Sequence, residues 1–324
     1  MIDFRYHVVS LVSVFLALAV GIALGAGPLK DPIANTLTGQ VKALAQDKAN
    51  LRSDLTTAEG AVQRRDTFIA GVGPALTREQ LGGRSVVLIT LPGADTSGLD
   101  DLTSSLKDAG ATVIGRVDVK PAWTDENQRT FRQELAGQLS APVAGEIPST
   151  DTTERELAGL LARAVVTPEL LSAGRTDAAG QAVLAGLKSG KLIGVSGDLS
   201  HRATAAVVLA PPVTTGTGAT PTPTPTDVTD AYLALASALD AGSAGTVVLG
   251  PASAANSGGV IEAVRSDDKV SRDVSTVDTG GTSMGDITTV LALHEQLIGG
   301  SGSYGFAAGA KAPMPTLAAA AGGP

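Results

Sequence analysis

The uncharged run from Val8 to Leu29 constrains this chain most, because it is long enough to cross the hydrocarbon core of a bilayer as one helix. Arg5 precedes the run, whereas the next two charges, Lys30 and Asp31, cancel. This asymmetry favours an N-terminus inside the cell. We therefore expect a single-pass anchor over residues 1–29 in the cell membrane, with the C-terminal part of the chain outside the cytoplasm.

A cleaved signal peptide is the alternative interpretation of the same run. Ala23, Leu24 and Gly25 provide small residues at the spacing that a signal peptidase requires. The apolar run is longer than the usual hydrophobic region of a signal peptide, about 7–15 residues. A retained anchor is therefore the favoured prediction.

Charge and cysteine usage exclude several classes of function. The formal net charge is -8, which argues against nucleic acid as a partner and against a polybasic lipid-binding face. The chain has no cysteine. Disulfide bonds and thiolate metal ligands are therefore excluded.

A heptad pattern follows the apolar run. Pro28 and Pro32 are expected to end the first helix, and apolar residues then recur at a and d positions through residues 33–70. This pattern predicts a coiled-coil stalk about 54 Å long. The predicted seam consists of Leu37, Val41, Leu44, Lys48, Leu51, Leu55, Val62, Arg65 and Ile69.

Two basic residues interrupt this seam. In two copies anchored in one membrane, Lys48 and Arg65 would each face their counterpart, and like charges there oppose a homodimer. A protein partner with acidic or polar residues at these layers would relieve the repulsion. Two alternatives remain. Two copies could pair with the charged ends of Lys48 and Arg65 turned to solvent, or the helix could pack on the chain's own domain.

Residues 82–300 show short apolar runs that alternate with amphipathic segments. This pattern predicts an extracytoplasmic α/β domain with a mainly parallel, doubly wound sheet. We expect a Pro/Thr-rich surface insertion at residues 211–226, a disordered tail at 301–324, and Trp123 and Phe131 in the core. The predicted strands are Ser85–Thr90, Thr112–Val119, Lys191–Ser196, Ala205–Ala210, Thr246–Gly250 and Val274–Val277.

Loops after the strands are the candidate ligand sites, because parallel sheets bind ligands beyond the carboxyl ends of their strands. The candidates are the loop that contains Asp95, the segment from Gly250 to Gly259, and the loop with Gly280, Gly281 and Asp286. The last of these could present backbone N–H groups to an anion. The alternative is that its glycines form turns and that Asp286 caps a helix.

The sequence gives little indication of catalysis. It contains no phosphate-binding G-x-x-x-x-G-K-[ST] motif. His201 and His294 are the only histidines outside the predicted anchor, and local turn or helix packing explains both. We expect that the chain is not an enzyme.

Three segments carry a resemblance to a known family: FRYHVVSLVSVFLALAVGIALG, GGRSVVLITLPGAD and STVDTGGTSMGDITTVLALHEQLIGGSGSYG. Together they resemble the actinobacterial family that includes mycobacterial copper transport protein B (MctB) and the corynebacterial cell-separation protein SteB. The resemblance implies a membrane anchor, a coiled coil and an α/β domain. It also implies either copper homeostasis or export, or a role with a SteA-like partner in controlling peptidoglycan hydrolysis.

The inventory of metal ligands bears on these two roles. Cu(I) prefers thiolate, thioether or imidazole ligands. Outside the predicted anchor the weak candidates are His201, Met284 and His294, with Met314 as a further thioether. We therefore expect no dedicated metal site, and favour a non-enzymatic envelope scaffold that pairs through the stalk. Copper homeostasis of the MctB type, direct or indirect, is the alternative.

Overall fold

A computed structural model describes residues 4–25, 30–147, 150–213 and 226–316. The chain divides into two compact units, Met1–Arg65 and Asp66–Pro324. The predicted insertion falls mostly on residues 214–225, and the end of the predicted tail on residues 317–324, so both lie outside the described residues. The helices are α1 Phe4–Gly25, α2 Lys30–Thr77, α3 Leu99–Asp108, α4 Arg129–Ser140, α5 Thr153–Val165, α6 Leu170–Ala173, α7 Ala178–Ser189, α8 Thr226–Ala241, α9 Val260–Ser266, α10 Val270–Asp273 and α11 Ser283–Leu297.

Helix α1 contains most of the predicted anchor. It is a 22-residue helix, and by length and composition it could cross a membrane. Residues 26–29 of the predicted anchor lie outside the described residues. The N-terminal apolar helix expected from the sequence is therefore present.

Helix α2 replaces the predicted stalk of residues 33–70 with one continuous helix of 48 residues. Pro32 does not delay its start, because the N–H groups of the first helical turn have no partner within a helix and proline removes only such a group. The structure shows a single helix here. Its pairing into a coiled coil stays a prediction.

The sheet has seven strands in the order β3-β2-β1-β4-β5-β6-β7. Neighbouring strands are parallel except for β2 and β3, which are antiparallel. The prediction of an α/β fold with a mainly parallel sheet is thus confirmed. The strands are β1 Ser85–Thr90, β2 Thr112–Val119, β3 Ile193–Gly197, β4 Ala205–Leu209, β5 Thr246–Leu249, β6 Ser275–Val277 and β7 Ser303–Tyr304.

Two separate apolar clusters bury the two faces of this sheet. On one face, buried residues of α5, α7, α8 and α9 pack against β1, β4 and β5. On the other face, α3 and α11 supply a smaller cluster. Leu161 and Leu235 belong to the first cluster, and Leu106 and Leu293 to the second. Burial on both faces explains why the strands are apolar runs rather than alternating patterns.

The segment with the two predicted aromatic anchors contains α4, which we did not predict from the sequence. Trp123 is completely buried, as expected. Phe131 is 43% exposed, so its predicted place in the core is wrong. The reason is the orientation of α4, which buries Arg132 and Ala136 instead.

The expectation of disorder from Ser301 onward is wrong for residues 301–316. β7 adds a parallel strand beside β6, with Thr276 opposite Ser303 and Val277 opposite Tyr304. Beyond it, Ala312 forms a further bridge with Tyr304. The folded domain therefore extends past the predicted boundary at residue 300.

A buried ion pair explains why this segment is ordered. Arg265 Nη2 lies 3.0 Å from Asp278 Oδ2, and the two side chains are 5% and 1% exposed. The guanidinium also donates to the carbonyl oxygens of Tyr304 and Ala308. The Asp278 carboxylate accepts from the backbone N–H of Phe306, among others. Both charged groups thus hold the last part of the domain through backbone groups.

Candidate functional site

The predicted ligand loops lie together at the carboxyl edge of the sheet. Gly280 N donates to Gly250 O over 2.8 Å, which joins the loops after β5 and β6. A methyl group on Gly98 would lie 3.7 Å from Gly281 Cα, which places the β1 loop beside the β6 loop. Strand order reverses between β1 and β4, the position where doubly wound sheets bind ligands. The loops predicted from the sequence thus share one edge of the sheet, and ligand binding there stays a prediction.

Asp95 is exposed at this edge and its contacts are local. Its Oδ1 accepts a hydrogen bond of 2.9 Å from the backbone N–H of Ser97. Hydrogen bonds from Ser97, first from the backbone and then from the side chain, lower the pKa of Asp95. A turn of this kind explains the aspartate without a ligand.

The two glycines of the β6 loop have separate structural reasons. A Cβ on Gly280 would lie 2.9 Å from the backbone C and O of Gly250, so no larger residue fits there. Gly281 has φ +80, a conformation that L side chains rarely adopt. Close chain packing and turn geometry thus account for both positions.

Asp286 does not cap helix α11, contrary to the alternative drawn from the sequence. The cap is Thr282, whose Oγ1 accepts from Gly285 N over 3.1 Å and donates to Thr279 O over 2.7 Å. Asp286 lies one turn further along and is 6% exposed. Burial, and then the charge of Asp101, raise the pKa of Asp286 to about 7. This carboxyl group can therefore carry a proton near neutral pH.

A second carboxyl group with a raised pKa lies near the start of β5. Burial is the main cause that raises the pKa of Asp240 to about 7, and the negative charge of Asp273 adds to it. A hydrogen bond from the Thr246 backbone opposes the shift. Sequence reasoning missed this pair because Asp240 and Asp273 belong to different helices, and only the fold brings them together.

The weak metal candidates have separate surroundings. His294 Nδ1 lies 2.9 Å from the carbonyl oxygen of Gln80. His201 forms a backbone bridge with Thr176, and its Nδ1 is buried without a hydrogen-bond partner. Met284 is half-buried in the first turn of α11. Among the described residues, no three His, Asp or Glu side chains form a group that could hold a metal ion.

A cleft of about 1,500 Å³ lies on the sheet face formed by α5 and α8. Arg132 and Glu154 form an ion pair in its wall at 3.4 Å, and Arg163 pairs with Glu146 and Asp177. The residues of these ion pairs are far apart in the sequence, so no local motif predicts the cleft. Arg132 and Arg163 are thus already paired with carboxylates, so neither presents an uncompensated positive charge to the cleft.

The predicted seam residues of α2 are largely exposed within the single chain. The exposed fraction is 70% for Leu44, 69% for Leu51 and 59% for Leu55. Lys48 and Arg65 are exposed as well. The side chain of Leu37 lies outside the described residues, whereas Val41 and Val62 are exposed like the others. An uncovered apolar stripe thus runs along this helix.

The end of α2 behaves differently from the rest of the helix. Ile69 is half-buried, and Gly73 is so close to Ile287 of α11 that a Cβ there would lie 2.6 Å from its Cδ1. The predicted seam therefore does not continue as an exposed stripe through Ile69. Close to its end, at Gly73, the helix contacts α11.

These features define a class of protein: an α/β domain that carries one N-terminal helix of membrane-spanning length and a long second helix. A family model described as "Copper transport outer membrane protein, MctB" matches residues 1–315. The chain therefore belongs to the MctB family, as its three sequence segments predicted.

Curated relatives agree with this assignment. The copper transporter MctB of Mycobacterium tuberculosis is 27% identical over 313 residues, which cover 96% of this chain and 98% of the relative. The protein of the same name from Mycobacterium leprae is 28% identical over 320 residues, with the same coverage. These names refer to copper transport, and they give no support to the interpretation based on cell separation.

Proposed function

We propose that this chain is a membrane-anchored protein of copper homeostasis. The observation that carries the proposal is the match to proteins named copper transporter MctB, which includes 96% of this chain. In this proposal α1 is a single-pass anchor in the cell membrane, and the α/β domain is extracytoplasmic. The proposal replaces the scaffold that we favoured from the sequence.

A single apolar helix limits how such a protein could contribute to transport. One helix satisfies its own backbone hydrogen bonds in lipid, but it cannot enclose a polar path for an ion. Within the described residues, α1 is the one helix that is long and apolar enough to span a membrane. Passage of copper would therefore require several copies or another protein, and α2 provides a surface for such an assembly.

In this proposal the α/β domain contributes to copper homeostasis indirectly. A Cu(I) site needs several soft ligands around one point. The imidazole of His294 contacts the carbonyl oxygen of Gln80, whereas His201 forms a backbone bridge with Thr176 and its Nδ1 has no hydrogen-bond partner. We propose that the domain does not hold copper at a dedicated site and does not catalyse a reaction. Its contribution is to assemble or regulate the machinery that moves copper.

The proposal is tested by measuring cell-associated copper in a deletion strain grown with added copper. We expect the deletion to raise copper content and the wild-type gene to restore it. A variant with His201→Gln, His294→Gln and Met284→Leu should restore it equally, whereas Leu44→Asp with Leu51→Asp in α2 should not. Unchanged copper content in the deletion strain would refute the copper role.

A regulatory scaffold with a SteA-like partner is the second candidate function. Its supporting observation is the exposed apolar stripe of α2, which is suited to binding a protein partner but does not distinguish between the two functions. The same deletion strain distinguishes the two functions. Chains of unseparated cells with normal copper content would favour the scaffold.

A further inference from the structure

Lys48 and Arg65 oppose self-association only if each is considered against the identical residue of the second copy. The residues beside them have the opposite charge, since Asp47 precedes Lys48 and Asp66 follows Arg65. We propose that two copies of this chain pair through α2 as a parallel, in-register coiled coil. Each basic seam residue then binds an acidic neighbour on the second copy.

The proposal follows from how side chains pack in a parallel pair. A residue at position a inserts into a hole of four residues on the facing helix, and one of those four is the g residue just before its counterpart. With Lys48 at a, Asp47 is that g residue. The ammonium group of Lys48 therefore meets Asp47 of the second copy, and the symmetric contact forms on the other side.

A similar contact is expected for Arg65, which is at position d. A residue at position d inserts into a hole that includes the e residue just after its counterpart. With Arg65 at d, Asp66 is that residue. Lys48 and Arg65, the two exceptions in the apolar pattern, would thus each meet an acidic residue of a parallel second copy.

Asp47, Lys48 and Arg65 are exposed and available for such contacts, whereas Asp66 is half-buried. The ion pairs in the described part of the chain join other residues, and none of them involves Asp47, Lys48, Arg65 or Asp66. Lys48 and Asp47 are both exposed. Val41, Leu44, Leu51 and Leu55 provide the apolar layers around the Lys48 contact.

The direction of the pair follows from the proposed anchor. Two copies held in one membrane by α1 would begin their α2 helices at the same level, so both helices would run in the same direction. An antiparallel pair would place position a opposite d and would lose the contact between Lys48 and Asp47. This inference rests on the proposed role of α1 and α2 but not on the copper role.

The usual contacts between e and g positions do not decide the pairing. Asp47 and Arg52 would attract across a parallel pair, whereas Asp54 and Glu59 would repel. These two contributions oppose each other. The charges beside the basic seam residues therefore become the feature that selects a second copy.

A charge exchange tests the contact directly in the full-length protein in detergent, with dimer dissociation followed by sedimentation velocity. Lys48→Glu and Asp47→Lys should each weaken the dimer roughly tenfold, because each places like charges together. Made together with Arg52→Glu, which keeps an opposite charge facing position 47, the double variant Asp47→Lys with Lys48→Glu should return the dissociation constant to within about threefold of wild type. Lys42→Glu is the matched control, since position b faces away from the seam, and it should have no effect.

Register is tested by cross-linking, which the absence of cysteine makes simple. Leu44→Cys at position d and Gln46→Cys at position f are introduced separately into the full chain. After oxidation of membranes with diamide, Leu44→Cys should give a cross-linked dimer and Gln46→Cys should not.

Three results would overturn the inference. They are a monomeric full chain at tens of micromolar, equal cross-linking at positions 44 and 46, or weakening by both single charge variants without rescue by the double variant. None of these measurements involves copper. A failure here would therefore leave the copper role standing, and a failed copper assay would leave the dimer standing.

Discussion

Helices α2 and α5 are both amphipathic, but they bury their apolar faces in different ways. In α5, Leu157, Leu160 and Leu161 are completely buried within the domain core. In α2, Leu51 and Leu55 are mostly exposed in the single chain. Amphipathic spacing thus predicts that a helix needs a covering surface, but it does not tell whether that surface belongs to the same chain.

We expect the largest effect on the stability of the α/β domain when the buried ion pair of Arg265 and Asp278 is broken. Arg265→Met should lower the free energy of unfolding by about 3–5 kcal/mol, because Asp278 would be left charged and buried without a cationic partner. Chemical denaturation of the full chain measures this loss. Arg155→Met is the control, since its pair with Asp151 is exposed and its loss should change the free energy of unfolding little. Equal losses would contradict the role given to burial.

A matched pair of leucine substitutions tests the comparison between α5 and α2. Leu160→Ala should cost about 2–5 kcal/mol of domain stability, because it leaves a cavity in a packed core. Leu51→Ala should change domain unfolding by less than about 0.5 kcal/mol. It should instead weaken self-association in sedimentation velocity. If Leu51→Ala destabilised the domain as much as Leu160→Ala, the two helices would not differ as described.

The protonation of Asp286 predicts how stability of the domain depends on pH. Its pKa is about 7 in the folded chain and near 4 when unfolded, so the folded state binds the extra proton between these values. Stability should therefore fall as pH rises from 4 through 7. Asp286→Asn should remove part of this slope and add about 1–3 kcal/mol at pH 8.

Two comparisons make the pH prediction specific. Asp240→Asn should act in the same window, because the pKa of Asp240 is also raised to about 7. Asp100→Asn changes an exposed carboxylate in α3 and should leave the slope unchanged. A slope that persists in the double variant of Asp240 and Asp286 would assign it to other groups.

The smallest expected effect concerns the start of α11. Thr282→Ala removes the acceptor for Gly285 N and should cost about 1 kcal/mol. Thr282→Ser keeps the hydroxyl group and should retain most of the stability. Thermal unfolding of the two variants distinguishes them, and equal melting temperatures would exclude capping as the reason for Thr282.

Most of the sheet could be predicted because its strands are buried on both faces. Val86–Ile89 and Ala205–Leu209 stand out as apolar runs between turn-forming residues, so their existence follows from local sequence. β7 could not be predicted in this way. Its two residues carry no pattern, and its order depends on Arg265 and Asp278, which are distant along the chain.

The candidate site shows the same division between local and tertiary information. Because loops that follow parallel strands lie at the carboxyl edge of the sheet, the sequence correctly predicted that the loops of Asp95 and Gly280 share one edge. It could not predict that Asp286 would be buried, or that Asp240 would lie near Asp273. Desolvation depends on the neighbours that the fold supplies, and those neighbours come from other parts of the chain.

In the dimer that we propose, a second copy covers the exposed stripe of α2. The most direct measurement is the mass of the full-length protein by sedimentation equilibrium in a density-matched detergent. We predict twice the chain mass of 32.3 kDa for wild type, and a single chain mass for Leu51→Asp with an unchanged circular dichroism spectrum. A wild-type protein of single chain mass, or a Leu51→Asp variant that keeps the dimer mass, would contradict the claim.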